Sequence, residues 1–129
     1  MRLIIGGASQ GKLDWYLSQQ EYSQEEVSDG AEISLEELPQ GKILNHFHRW
    51  VFRLLEQGID PKEKLEAYLA KQPDAVILSD EIGCGVVPIA ASEREWRETA
   101  GRLCCDLAKR AKRVDRIFCG LAMPLKKEN

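Results

Sequence analysis

The clearest chemical pattern in this chain lies near its start, from Gly6 to Leu13. An apolar run, Leu3–Ile5, precedes a glycine-rich stretch that ends in Gly11 and Lys12, and a helical pattern follows. The spacing matches G-x-x-x-x-G-K, the pattern of a phosphate-binding loop, or Walker A motif. Glycines let backbone N–H groups turn toward an anion, and a helix N-terminus adds partial positive charge. We therefore expect nucleotide phosphates to bind at Gly6, Gly7, Ala8, Ser9, Gln10, Gly11, Lys12 and Leu13.

Lys12 and Leu13 favour different conclusions about this loop. Lys12 supplies the formal positive charge that meets the outer phosphates, which makes it a candidate catalytic residue. Leu13 stands where the motif has Ser or Thr, whose hydroxyl ligates Mg²⁺, and its side chain carries no oxygen. Phosphate binding is thus predicted, whereas the usual Mg²⁺ site is doubtful. The alternative interpretation is a glycine-rich turn with a chance lysine.

A second polar cluster follows the apolar run Ala75–Leu78. A continuous apolar run bounded by turn signals is typical of a strand buried on both faces. Ser79, Asp80 and Glu81 come at its carboxyl end. Ligands of open α/β sheets bind at that edge, so these residues are candidates for the same site.

The two histidines give a weaker signal. His46 and His48 would face different ways on a helix and share a face on a strand. A metal-binding pair is one alternative, and a polar surface or a partner contact is the favoured interpretation for both. No metal ligand is assigned.

The cysteines have no C-x-x-C spacing and no histidine near enough to suggest zinc. We expect free thiols, with three of them acting as small buried hydrophobic residues and Cys84, between two glycines, in a loop. The three expected to be buried are Cys104, Cys105 and Cys119.

The elements that must position these residues alternate along the chain. Three longer helices are predicted, at Gly11 to about Gln20, at Ile43–Gln57 with Gly58 as its C-cap, and at Ser92–Val114. A brief helix is predicted to start at the Ser34–Glu37 capping box and to stop at Pro39. Another is predicted to start at Asp60 and Pro61. The predicted strands are Leu3–Ile5, a short one near Val27, Lys42–Asn45 as an alternative start of the third helix, Ala75–Leu78 and Arg116–Cys119, with Gly120–Lys127 as a last extension. This order predicts a single α/β domain, residues 1–129, with a mostly parallel sheet.

Composition excludes several classes of function. The 129 residues are 43% hydrophobic and 30% charged, with a net charge of −3, so bulk charge does not favour a nucleic-acid partner. No apolar run is long enough to cross a bilayer, and Gly6 and Gly7 interrupt any signal-peptide core. We expect a cytoplasmic protein with no membrane partner.

Several of these stretches resemble one known family, the adenosylcobinamide kinase / adenosylcobinamide-phosphate guanylyltransferase family. Ile-Ile-Gly-Gly-Ala-Ser-Gln-Gly-Lys, ending at Lys12, is similar to its phosphate-binding loop. Val76–Lys126 is similar to the C-terminal half of the family. The family has a strand that ends in N/D-E-V-G-x-G-I-V-P, and this chain has V-I-L-S-D-E-I-G-C-G-V-V-P. The family has a helix with the pattern R-x-F-R-D-x-x-G-R, and this chain has R-E-W-R-E-T-A-G-R, starting at Arg94. The family's final strand ends in S-G followed by a lysine, and this chain has C-G-L-A-M-P-L-K there.

The resemblance implies a P-loop NTPase fold of the RecA-like sort and a role in cobalamin (vitamin B12) assembly. ATP or GTP would be the cofactor and adenosylcobinamide a second ligand. The protein would be a homo-oligomer, with a trimer as one form that the family suggests. Glu81 would join Lys12 as a catalytic residue. The other residues that the resemblance places at the site are Asp80, Gly83, Gly85, Arg94, Arg97 and Arg102.

Departures from the family concern the metal and the second reaction. Asn45 stands at the position of an aspartate, and an amide lacks the anionic oxygen that a hard cation prefers. The segment that carries the family's guanylylated histidine is largely absent, and neither His46 nor His48 matches it. Guanylyl transfer is therefore not expected.

Three hypotheses follow. The first is a kinase for adenosylcobinamide in which Asp14, Asp80 or Glu81 holds Mg²⁺, although Asp14 points about 100° round the helix from Leu13. The second is a non-catalytic subunit that keeps the phosphate site and binds a partner enzyme. The third is a scaffold with an empty loop. Self-association is also expected, because Trp50 and Phe52 fall on different faces of one helix.

Overall fold

The computed structural model of this chain describes residues 1–7, 11–19, 26–81 and 90–127. Six strands and four helices are present in these residues. In chain order they are β1 (Arg2–Gly6), α1 (Lys12–Gln19), β2 (Val27–Asp29), β3 (Ile43–Asn45), α2 (Phe47–Glu56), α3 (Pro61–Lys71), β4 (Val76–Asp80), α4 (Ala91–Arg110), β5 (Arg113–Phe118) and β6 (Leu121–Lys127).

The strands form one sheet in the order β2-β3-β4-β1-β5-β6. All neighbours pair in parallel except β5 and β6, which form an antiparallel hairpin. The register sets Gly6 beside Asp80 of β4 and Ile117 of β5. The predicted α/β fold of the P-loop NTPase type, with a mostly parallel sheet, is confirmed.

One face of the sheet carries most of the core. Helices α2, α3 and α4 pack against it through fully buried side chains that include Trp50, Tyr68 and Leu107. The Tyr68 hydroxyl donates to the carbonyl of Gly41 at 2.8 Å, which gives this buried polar group a partner. This thick layer fixes the positions of β3 and β4, whose ends carry polar residues.

In the part of the chain that the structure describes, the helix on the other face is α1, which has eight residues. Tyr16 packs there against Ile4, Leu78 and Ile117, and Leu13 contacts the same cluster from its edge. The helix that follows the glycine-rich loop is therefore held to the sheet by a small apolar contact.

Two local predictions are confirmed in atomic detail. Asp60 caps α3, because its side chain accepts a hydrogen bond from the N–H of Lys62 at 3.0 Å. Helix α2 ends in a Schellman motif in which the N–H of Gly58 bonds to the carbonyl of Leu55 and that of Ile59 to the carbonyl of Leu54.

The middle of the chain corrects one prediction and decides another. No helix forms at Ser34–Glu37, where the backbone is irregular and bent; the Ser34 hydroxyl accepts a local hydrogen bond from the N–H of Glu36 at 3.3 Å. Of the alternatives at Lys42–Asn45, the strand is confirmed as β3, because its apolar residues pair with β4.

The C-terminal part also differs from the prediction. Helix α4 ends at Arg110 rather than Val114, since Val114 lies in β5 beside Leu3. The predicted extension after Cys119 is strand β6, joined to β5 through Cys119 and Gly120. Both of these residues have positive φ, 51° and 75°, as a two-residue hairpin turn requires.

Burial contradicts two further expectations. Cys105 lies on the outer side of α4 and Cys119 in the turn between β5 and β6, so both are exposed, whereas Cys104 is partly buried. Burial raises the pKa of the Cys104 thiol to about 11. The aromatic argument for self-association is also wrong, because Trp50 is buried and Phe52 packs edge-to-face on Trp96, with ring centroids 5.1 Å apart.

Candidate functional site

The candidate site lies at the carboxyl edge of β1 and β4, where the two strands end side by side. Gly6 and Asp80 are partners in the sheet register, and the N–H of Glu81 donates to the carbonyl of Gly6 at 2.7 Å. A Cβ atom on Gly6 would lie 2.5 Å from the carbonyl oxygen of Ile117. Close approach of β5 therefore requires glycine at position 6, independently of any ligand.

Lys12, the first residue of α1, reaches back to this edge. Its side chain is 7% exposed, and Nζ donates to the carbonyl of Gly7 at 2.9 Å and to Oδ1 of Asp80 at 2.5 Å. An ammonium group has three N–H donors. Within the described part of the chain, Nζ of Lys12 makes these two contacts, which leaves one N–H donor for an anion.

Asp80 is held from two sides. Its Oδ1 accepts from Lys12, and its Oδ2 lies 3.2 Å from Nε2 of His48. Burial alone would raise the pKa of Asp80, but the hydrogen bonds from His48 and Lys12 favour the charged form more strongly. The pKa of this carboxyl group is therefore far below its usual range, and Asp80 is an anion.

Glu81 belongs to the opposite side of the edge. Its Oε2 lies 3.0 Å from a guanidinium nitrogen of Arg116, on β5. Both residues border a cavity of about 370 Å³ together with Ser79, Asp80 and Cys104. This cavity is open to solvent and has an anion, Asp80, and an ion pair on its wall.

A third polar group continues the edge along β2 and β3. Oδ1 of Asp29 lies 2.8 Å from Nδ1 of His46. Burial acts to raise the pKa of Asp29, yet hydrogen bonds from His46 and the N–H of Ala31 outweigh it and leave the pKa lowered. Asn45, the last residue of β3, is nearly buried, and β4 separates its strand from β1.

The structure brings some of the predicted site residues together and leaves others apart. Lys12, Asp80 and Glu81 meet at the edge, with Gly6 and Gly7 beside them, whereas Leu13 contacts the apolar cluster under α1. Asp14 is exposed. Ala8, Ser9, Gln10, Gly83, Cys84 and Gly85 lie outside the described residues.

The arginines of α4 and Gly11 complete the set of predicted residues. Gly11 adopts a φ of 82° just before α1. Arg94 and Arg102 are exposed, and Arg102 pairs with Glu98 one turn away at 3.3 Å, so neither makes a described contact with Lys12 or Asp80. Arg97 is partly buried.

Two residues of the site were missed from the sequence. His48 is buried against Asp80, so its assignment to the surface or to a partner contact is wrong, whereas His46 is close to half exposed. The signal for His48 was its position in the first turn of a helix that follows a strand end. Arg116 carried no signal beyond its place in a predicted strand.

No group of three or more His, Cys, Asp or Glu side chains that could hold a metal ion occurs among the residues that the structure describes. Within the same residues, no helix is both long and apolar enough to cross a membrane.

Comparison with known proteins identifies the class. The fold is an α/β fold of the P-loop NTPase type, and residues 40–125 match the model of the family described as cobinamide kinase / cobinamide phosphate guanyltransferase. The chain belongs to this family. The predicted resemblance is confirmed over this range, which excludes the glycine-rich loop.

Two curated relatives agree with this assignment. The chain is 41% identical over 85 residues to the bifunctional adenosylcobalamin biosynthesis protein CobP of Pseudomonas aeruginosa, a match covering 61% of the chain and 49% of the relative. It is 32% identical over 79 residues to the bifunctional adenosylcobalamin biosynthesis protein CobU of Escherichia coli, covering 60% and 44%. The matches thus span about half the length of these relatives.

Proposed function

We propose that this protein binds the phosphates of ATP or GTP at the Gly6–Leu13 loop and serves cobalamin biosynthesis. The observation that carries the proposal is the position of Lys12, whose Nζ is fixed at the carboxyl edge of β1 with one N–H donor left over. The N-terminus of α1 begins at the same point, and its free N–H groups favour an anion. An anion placed there would contact Lys12 and the helix together.

The second ligand is proposed from the family. Family membership supports adenosylcobinamide, and the carboxyl edge extends from Asp80 toward Asn45, His46 and Asp29, which offer polar groups to a large polar molecule. Guanylyl transfer is not part of the proposal, because the chain lacks most of the segment that carries the reaction in the family. The cytoplasm is the proposed location.

A kinase acting on adenosylcobinamide is the second candidate. It is favoured by the two carboxylates next to Lys12, Asp80 and Glu81, either of which is a possible metal ligand in a phosphoryl-transfer site. We rank it second, because Asp80 is already paired with Lys12 and His48, and Glu81 is paired with Arg116. A non-catalytic nucleotide-binding subunit needs no metal and fits these contacts better.

Self-association is proposed from the hairpin. Phe118, Leu121, Met123 and Leu125 are between 53% and 73% exposed, and such a cluster of large apolar side chains favours a protein contact. We propose a homo-oligomer, with a trimer as the form that the family resemblance suggests. Sedimentation should show an assembly that Leu121→Glu disrupts, and a clean wild-type monomer would contradict this proposal.

Isothermal titration of ATP and GTP tests the nucleotide proposal. We expect micromolar binding by the wild type, at least about tenfold weaker binding by Lys12→Ala, and unchanged binding by Lys62→Ala. Lys62 is an exposed lysine on α3 and serves as the matched control. Equal affinities of Lys12→Ala and wild type, or no binding of either nucleotide, would leave a scaffold or interaction protein.

A second experiment separates the two candidates. The double variant Leu13→Ser, Asn45→Asp restores the two oxygen ligands that the motif and the family have at these positions. Phosphorylation of adenosylcobinamide by the wild type would establish the kinase. Activity only in the double variant would instead support a binding protein whose remaining site is intact.

A further inference from the structure

Both ring nitrogens of His48 face Asp80. Nδ1 lies 3.1 Å from the backbone nitrogen of Asp80, and Nε2 lies 3.2 Å from Oδ2 of the same residue. A backbone N–H can only donate, so Nδ1 is the acceptor and carries no proton. The ring proton of the neutral imidazole is then on Nε2, which donates it to the carboxylate. One histidine thus holds the main chain and the side chain of Asp80 together.

His48 is itself fixed by a second helix. Its carbonyl accepts a hydrogen bond from Nε1 of Trp96 at 2.7 Å, and the Trp96 ring packs on Phe52. The His48 side chain is 6% exposed. The contact from α4 fixes the main chain of His48, and the two contacts of the buried ring with Asp80 set the ring beside this carboxylate.

The residues present do not fit Mg²⁺. Each oxygen of Asp80 already has a donor, Lys12 on Oδ1 and His48 on Oδ2. Leu13 has no oxygen and Asn45 has only a neutral one, whereas Mg²⁺ takes near-octahedral oxygen ligation and is usually bound through one or two carboxylates. An ion on either oxygen would lie next to the Lys12 ammonium or the Nε2 of His48, and the positive charge of Lys12 repels it, so these two contacts disfavour ligation by Asp80.

We infer that His48 is a positioning residue that holds Asp80 on Lys12 and away from a divalent cation, so that the site binds nucleotide phosphates without Mg²⁺. This inference rests on the proposed nucleotide binding and adds that this binding does not require Mg²⁺. Lys12 keeps its bond to Asp80 and uses its remaining N–H for a phosphate oxygen. The Lys12–Asp80–His48 contacts replace the ion as the element that orders this edge.

Two substitutions of His48 separate its two hydrogen bonds. The amide of His48→Asn reaches the position of Nδ1 and can accept from the N–H of Asp80, but it leaves Oδ2 without a donor. The longer amide of His48→Gln reaches the position of Nε2 and restores that donor. Arg49→Asn is the control, because Arg49 is the exposed neighbour of His48 on α2.

The measured quantity is the ratio of the ATP dissociation constants in EDTA and in excess Mg²⁺. We expect a ratio near one for the wild type, His48→Gln and Arg49→Asn. In His48→Asn we expect a ratio of about ten or more, because the freed carboxylate of Asp80 can ligate the ion. A purely structural role of His48 would weaken binding equally in both conditions. Wild-type binding that requires Mg²⁺, or an unchanged ratio in His48→Asn, overturns the inference.

A measurement without nucleotide keeps the two proposals distinguishable. The imidazole ¹⁵N shifts of the wild type should report the Nε2–H tautomer of His48, with no change on addition of Mg²⁺ alone. In His48→Asn, Mg²⁺ alone should raise Tm, whereas the Tm of the wild type should not respond. Loss of ATP binding with these results intact contradicts only the proposed function. A Tm rise of the wild type with Mg²⁺, or an Nδ1–H tautomer, contradicts the role of His48.

Discussion

Two aspartates on the α1 face of the sheet show how one side-chain type serves two purposes. Asp115, in the middle of β5, is fully buried and contacts Arg2 at 2.9 Å and Arg113 at 2.9 Å. Asp80, at the end of β4, contacts Lys12 and His48 and is 19% exposed. Both are ion pairs, but one lies inside the sheet and the other lies at its edge.

The difference lies in the cations and in access to ligands. Arg2 stacks its guanidinium over the rings of Trp15 and Tyr16, at 5.4 and 5.3 Å, so this pair is part of the packing under α1. The planar guanidinium holds a carboxylate through several fixed N–H groups, whereas lysine is a point charge that can contact a second anion. Asp115 therefore stabilises the fold, and Asp80 is suited to a binding site.

The largest effect should follow from Asp115→Asn. Removing the charge leaves two arginines partly buried without their anion, and we expect a loss of about 3 kcal/mol of unfolding free energy in urea titrations. Nucleotide affinity should not change. Asp74→Asn, at an exposed position, is the control. A loss below about 1 kcal/mol would show that the buried pair is not a structural element.

Asp80→Asn should reverse this pattern. We expect a smaller loss of stability, about 1 to 2 kcal/mol at pH 7, because the pair is at the edge. Affinity for metal-free ATP should rise about threefold or more, since a negative charge near the phosphates is removed. Weaker ATP binding by this variant in EDTA would contradict the proposed arrangement at Lys12.

The pH dependence of the free energy of unfolding should differ between the wild type and Asp80→Asn. Its pKa is lowered in the folded state, so the folded protein binds fewer protons than the unfolded chain, whose aspartates titrate near pH 3.9. Its contribution is complete above that pH and is lost as the pH falls through the folded value. The stability gap between wild type and Asp80→Asn should therefore shrink below about pH 4. A constant gap would be inconsistent with this ion pair.

Arg2→Lys should show what the guanidinium contributes. Lysine keeps the charge but loses one of two N–H contacts to Oδ2 of Asp115 and the planar stacking on Trp15 and Tyr16. We expect a loss of about 1 kcal/mol, measured by urea unfolding. Stability equal to the wild type would mean that charge alone maintains the Asp115 pair.

The smallest effect should come from Trp96→Phe. The change removes the hydrogen bond to the His48 carbonyl and keeps an aromatic ring against Phe52. We expect a loss of about 0.5 to 1 kcal/mol of unfolding free energy and a small rise in the Mg²⁺ dependence of ATP binding. If stability falls and the Mg²⁺ dependence is unchanged, then α4 does not help to hold His48.

Local signals were sufficient for much of the fold. The apolar run at Ala75–Leu78 predicts a buried strand. The residue types of Asp60 and Gly58 predict the start of α3 and the end of α2. The Ser34–Glu37 capping box failed, because its hydroxyl accepts a local hydrogen bond from the N–H of Glu36 instead and no helix follows. A capping signal needs an apolar face to continue the helix, and Pro39 ends the segment too early.

Pairing across the sheet was less predictable. Most of the Gly120–Lys127 segment forms strand β6 because it pairs with β5. No periodicity within the segment predicts this pairing. The exposure of Cys105 and Cys119 depends on which side of α4 and of the hairpin meets solvent. These are properties of neighbouring elements, so a single segment could not reveal them.

The sequence by itself determined the glycine-rich loop with Lys12, the alternation of strands and helices, and the absence of a hydroxyl at Leu13 and of a carboxylate at Asn45. Residue type and short spacing carry that information. Only the tertiary structure decided that His48 contacts Asp80 from 32 residues away and that Arg116 pairs with Glu81 from 35 residues away. The order of strands in the sheet sets those distances, because parallel strands bring their carboxyl ends to one edge whatever their separation in the chain.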